Sequence, residues 1–120
     1  MRGGPRSRRH HGGRWRVFAR VERFAEPALL LLLREAPSHG YDLLERLPEL
    51  TGEQRVEMGN LYRLLRALED EGLVSSKWAD GKRTYSITAQ GRALLEQWAD
   101  ALRRSRERTD RFLERYEEGR

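Results

Sequence analysis

Apolar residues return every three or four positions along most of this chain, and every second position in one short stretch. Trp15, Phe18, Val21 and Phe24 recur three apart and predict a short amphipathic helix over residues 15–25. Glu26-Pro27 opens a clearer helix, because proline suits a first turn where its missing N–H has no intrahelical partner. The apolar block Ala28 to Leu33 fills that helix, and Ala36-Pro37 ends it, since the residue before proline is pushed out of the α region. Ser38 is placed to cap a second helix, His39 to Leu47, which Pro48 stops; residues 50–56 read as a polar connector. The third helix, Met58 to Glu71, carries leucines at 61, 64, 65 and 68, with Gly72 just past its end. The period then drops to two. Leu73-Val74 starts a strand to about Trp78, Asp80-Gly81 is a two-residue hairpin signal, and Arg83 to Ile87 returns. Thr88 can cap a last helix from Ala89 to Glu118.

That last helix has a seam of its own. Leu95, Trp98, Leu102, Ser105, Thr109, Phe112 and Tyr116 alternate spacings of three and four, the mark of a heptad repeat. At about 1.5 Å per residue it would be roughly 45 Å long, more than one small domain can cover, so a second copy of the chain is its natural cover. The whole order is helix, helix, helix, strand, turn, strand, long helix. It predicts a mainly α fold with a small β-hairpin wing: a winged helix-turn-helix domain over residues 15–88 and a dimerisation helix over residues 89–120. Residues 1–14, rich in glycine and arginine, read as a disordered basic arm.

Charge sharpens this division. The net charge of the 120 residues is +5, yet residues 1–23 hold eight arginines against one acid, Glu22. The rest of the chain is slightly acidic. The arm can therefore attract nucleic acid or an anionic surface, or it can be a solvated tail, and the fold has to decide. Cysteine is absent, which excludes disulfides and thiolate metal sites and fits a reducing cytoplasm. No apolar run approaches the ~20 residues a membrane span needs, and no secretory signal is visible.

In a winged helix the third helix buries one face and offers the other to the DNA major groove. Leu61, Leu64, Leu65 and Leu68 suit the first task; Asn60, Tyr62, Arg63 and Arg66 suit the second. Arginine pairs bidentately with guanine and asparagine with adenine. The rival reading makes Arg63 and Arg66 a solvated face paired with Glu69 and Asp70. Lys82 and Arg83, at the hairpin tip, are candidates for backbone contacts. His39-Gly40-Tyr41 could dock a phosphate, but the structural reading is favoured: Tyr41 in the core, Gly40 allowing close helix approach, His39 on the surface. His10-His11 lacks a third ligand, so no metal is expected. No nucleophile–base pair, phosphate loop or carboxylate pair stands out, so neither catalysis nor a cofactor is expected.

Five runs carry a family resemblance: Pro27-Ala28-Leu29-Leu30-Leu31-Leu32-Leu33; His39-Gly40-Tyr41; Gly59-Asn60-Leu61-Tyr62; Leu68-Glu69-Asp70-Glu71-Gly72-Leu73-Val74; and Tyr85-Ser86-Ile87-Thr88 with Gly91. Over residues 24–95 the chain resembles the PadR family of bacterial transcriptional regulators. The resemblance implies a homodimer that binds double-stranded DNA at a palindromic operator, usually as a repressor, in the bacterial cytoplasm. Tyr62 and Gly59 match the family's recognition-helix tyrosine and glycine, whereas Asn60 stands where threonine is common and Thr84 where an aromatic is common. Leu95, Trp98, Leu102, Phe112 and Tyr116 are the expected dimer seam, and Trp98 is where a small-molecule effector would be sought. A winged-helix module that binds a protein partner, and an arm that binds RNA, are the competing readings.

Overall fold

The computed structural model describes residues 24–52 and 56–119. Helix α1 (Ala25–Glu35) is followed by a short strand β1 (Ser38–His39), helix α2 (Gly40–Thr51), helix α3 (Met58–Asp70), strands β2 (Val74–Ala79) and β3 (Lys82–Ile87), and helix α4 (Ala89–Glu118). The arm (1–14) and nearly all of the helix expected over 15–25 lie outside the described residues.

α1 is apolar around most of its circumference, and accordingly Leu29, Leu30, Leu32 and Leu33 are all buried. It ends where Pro37 requires: Ala36 is extended, with φ −171° and ψ 146°. Leu43 and Leu47 of α2 and Leu61, Leu65 and Leu68 of α3 complete a leucine core, and Val74 and Tyr85 close it from the sheet. Leu64 is only half-buried, on the border of its helix's inner face.

The sheet is antiparallel with order β1-β3-β2. Asp80 and Gly81 both take positive φ, 56° and 74°, as a two-residue turn matching the strand twist demands. The register follows at once: Ala79 opposes Lys82, Trp78 opposes Arg83 and Ser76 opposes Tyr85. α4 begins as its sequence predicts, with the Gly91 amide donating to Thr88 Oγ1 at 3.0 Å.

Three expectations are corrected. Ser38 does not cap α2; it belongs to β1, where its backbone pairs with Tyr85 while its hydroxyl donates to the Ala36 carbonyl. After Pro37 the chain is already extended, and the open edge of β3 takes up Ser38 and His39 before the helix can start. Pro48 does not stop α2, which runs on to Thr51. Proline removes one hydrogen bond near the helix end, and Gly52 in the left-handed region closes the last turn onto the Pro48 carbonyl. Tyr41 is not in the core: it is 58% exposed, with Glu45 one turn along raising its phenol above the ordinary value.

The chain divides into two compact units, Arg23–Leu95 forming one and α4 from Glu96 onward belonging to the other. The first is the winged-helix domain. Along α4, Leu94, Leu95, Trp98 and Ala101 are buried, whereas Phe112, Leu113 and Tyr116 are exposed.

Candidate nucleic-acid interface

Spacing alone assigns α3 its surfaces. With Leu61, Leu65 and Leu68 turned inward, Tyr62, Arg66 and Glu69 fall at i, i+4 and i+7 on one flank, and Asn60 and Arg63 on another. The first flank borders a cleft of about 720 Å³ whose other walls are the start of α2 and the wing. Period two does the same for the hairpin: Ser76 and Trp78 share a face of β2 with Arg83 and Tyr85 of β3.

Tyr62 stands over the first residue of α2. A Cβ on Gly40 would lie 2.8 Å from the Tyr62 ring and hydroxyl, so Gly40 is what lets Tyr62 reach this position. Tyr85 forms the floor. Burial pushes its phenol above the ordinary value, with Tyr62 and Glu69 acting the same way and Arg83 and Arg66 against them. The phenol stays protonated at neutral pH, a donor at the base of a cleft that carries Arg66 and Lys82 on its rim.

The expected DNA-binding residues thus fall into two sets. Tyr62, Arg66, Lys82 and Arg83 line the cleft. Asn60 and Arg63 lie outside it on exposed helix surface, where the Arg63 guanidinium donates to the Asn60 amide oxygen. Arg83 is less free than a hairpin-tip cation should be. Its Nη1 donates to Ser76 Oγ at 2.8 Å, and its guanidinium lies over the Trp78 ring, 5.0 Å from the centroid. Ser76 in turn donates to Glu69 Oε2 at 2.9 Å. Glu69 therefore engages the wing through Ser76, whereas Arg63 is engaged by Asn60.

His39 is half-buried; its Nδ1 is 3.4 Å from the Arg83 carbonyl oxygen and 3.3 Å from the Thr84 hydroxyl, tying β1 to the wing strand. No single-residue signal announces Trp78 or Ser76, and the sequence offers Glu69 only as an ion-pair partner for Arg63 and Arg66. The hairpin register was the available clue: a two-residue turn at Asp80-Gly81 places Trp78 opposite Arg83. Among the described residues no group of three histidines or carboxylates could hold a metal ion, and no helix is long and apolar enough to cross a membrane.

A model of the transcriptional regulator PadR-like family matches residues 29–97. A PadR family transcription regulator from Clostridium difficile shares the fold at TM-score 0.69 and 19% identity, covering 75% of this chain and 98% of that one. A transcriptional regulator from Thermoplasma acidophilum aligns at 30% identity and TM-score 0.64, over 78% of this chain and 93% of that one. Bacillus subtilis PadR, solved in complex with operator DNA, aligns at 29% identity and TM-score 0.57, over 64% of this chain but 47% of that one. Among curated proteins, none matches the chain. With a winged helix as its fold and the family model matching more than half of its length, the chain belongs to the PadR-like family of transcriptional regulators.

Proposed function

We propose that the chain is a homodimeric repressor that binds a palindromic operator, each subunit placing α3 in a major groove and its wing against the neighbouring backbone. The observation that carries this reading is the shared opening of α3 and the wing onto one cleft rimmed by Arg66 and Lys82. The operator complex of Bacillus subtilis PadR supports duplex DNA as the partner. In this reading Asn60, Tyr62, Arg63 and Arg66 read or position on bases, and Lys82 meets a phosphate; half-sites lie about one helical turn apart.

Dimerisation is assigned to α4 through Leu95, Trp98, Leu102, Phe112 and Tyr116. Trp98 is fully buried. A small-molecule effector at this residue would have to displace what covers it, and would act by favouring one arrangement of two subunits over another.

The test is titration against DNA upstream of the chain's own gene and against a scrambled duplex, at two salt concentrations. A preference of at least ~10³-fold is expected for a specific regulator. Arg66→Ala should cost about 1–3 kcal/mol on the operator and relax specificity at one position. Equal, steeply salt-dependent binding to both duplexes would overturn the reading and favour a protein-interaction module. Repression itself is checked by a promoter reporter, whose output should rise when the gene is deleted.

A further inference from the structure

Between α3 and the wing runs a chain of hydrogen bonds that a DNA contact surface does not itself require. The Arg83 guanidinium donates to Ser76 Oγ at 2.8 Å, and Ser76 Oγ donates to Glu69 Oε2 at 2.9 Å. A guanidinium only donates and an ionised carboxylate only accepts, so the single hydroxyl hydrogen of Ser76 has one direction to point. A cation on β3, a hydroxyl on β2 and an anion on α3 are thereby joined in a fixed sense. The Trp78 ring, 64% exposed, covers the face of the guanidinium.

The position of this relay matters as much as its chemistry. α3 ends at Asp70 and β2 begins at Val74, so only Glu71, Gly72 and Leu73 join the recognition helix to the wing. β1 also holds β3 at Tyr85 and Thr84, so what can still pivot is the tip beyond them, which carries Lys82 and Arg83. The relay ties that tip to α3 through Ser76, four pairs from the turn, and Arg83, two pairs from it, and so adds the contact that defines its angle. Lys82 follows the turn directly and is exposed, so where its ammonium falls along a duplex depends on that angle.

We propose that Glu69, Ser76 and Arg83, with Trp78 as the stacking surface, set the pitch of the wing against α3, and so determine which flanking position of the operator Lys82 reaches. Arg83 is then a positioning residue and not a phosphate ligand, and Glu69, an acid inside a DNA-facing cleft, is there to hold the wing. This rests on the reading of α3 and the wing as the DNA-binding surface.

Hydroxyl-radical footprinting on the operator separates the alternatives, with wild type, Ser76→Ala, Ser76→Thr, Arg83→Ala and the Ser76→Ala/Arg83→Ala double variant. Ser76 is half-buried on a strand whose ladder is made by backbone groups, so its replacement by alanine should leave the β2–β3 pairing in place. Ser76→Ala should lose protection at the wing-contacted flanks, keep it under α3, and weaken binding about tenfold. Threonine, which keeps the hydroxyl, should restore both. Arg83→Ala should give the same footprint as Ser76→Ala, and the double variant should lose nothing more. Flank protection that survives in Ser76→Ala but vanishes in Arg83→Ala would assign Arg83 to the phosphate directly and overturn the proposal. Uniform loss across the site in Ser76→Ala would overturn it too. A wild-type chain that protects no duplex would instead fail the functional reading, and this inference with it.

Discussion

Two buried glycines show how one atom can matter differently at two places. A Cβ on Gly91 would lie 2.8 Å from Ile87 Cγ1 and 2.1 Å from the Leu73 carbonyl oxygen, a backbone atom that cannot rotate aside. At Gly40 the obstacle is the Tyr62 ring at 2.8 Å, part of a side chain 38% exposed and able to swing outward. Gly91→Ala should therefore lower stability by about 1–3 kcal/mol, shifting the thermal midpoint by several degrees. Gly40→Ala should melt closer to wild type yet, if Tyr62 contacts DNA as proposed, bind operator more weakly, because Tyr62 is displaced. Melting both variants and titrating both on operator checks the contrast; equal melting points would remove it.

Tyr85 supplies a pH dependence at the same scale. Its phenol is raised by burial, so on going alkaline the unfolded chain loses its proton before the folded one. Below the unfolded value, about 10, the group contributes fully; above it the unfolded chain binds fewer protons and stability declines with pH. Denaturant unfolding between pH 9 and 11 should show this decline, and Tyr85→Phe should flatten it.

At the scale of elements, legibility followed the length and regularity of the pattern. α3, with leucines at 61, 64, 65 and 68, and the hairpin, with Asp80-Gly81 between two alternating runs, are legible because many residues agree on one period. β1 is only two residues long and exists because β3 has an open edge; no local preference of Ser38 or His39 announces that. Serine after Ala36-Pro37 has a strong capping preference, and pairing at that edge overrode it. Tyr41 is expected in the core as an apolar position of its helix, but the inward positions of α2 are Leu43 and Leu47, leaving Tyr41 on the outer side. The site divided in the same way. The cations of α3 and the wing were visible as residue types, whereas the partners that orient them, Glu69 and Ser76, become visible only once strand register and helix phase are combined. Pro48 carries the prediction here. It sits inside α2 without an amide to donate, and a helix interior penalises proline by up to about 3 kcal/mol relative to alanine. Lower unfolded-state entropy offsets part of this. Pro48→Ala should raise stability by about 1 kcal/mol in urea unfolding; a loss would mean that the ring's packing outweighs the missing hydrogen bond.

For the whole molecule the question is what α4 does with its far end. The helix is 30 residues long, and its apolar positions divide sharply: Leu94, Leu95, Trp98 and Ala101 are buried, while Phe112, Leu113 and Tyr116 are 66%, 45% and 57% exposed. Phe112 and Tyr116 stack at 6.3 Å between centroids, one turn apart, so the pair offers a continuous apolar surface. Between the two groups, residues 103–111 are dense in charge, with Ser105 and Thr109 at the seam positions. A seam that is apolar at both ends and polar in the middle fixes register better than it maximises affinity, as polar seam residues do in coiled coils. In the proposed dimer a second copy of α4 covers Phe112 and Tyr116, and on that proposal their replacement should separate the subunits without touching the winged-helix domain. Phe112→Glu with Tyr116→Glu should shift sedimentation equilibrium toward monomer and leave the domain's own melting unchanged. Operator affinity should then fall by about 10²-fold or more, because two half-sites are no longer engaged by one linked particle. A variant that behaves in sedimentation as wild type and binds operator equally well would remove Phe112 and Tyr116 from the subunit contact.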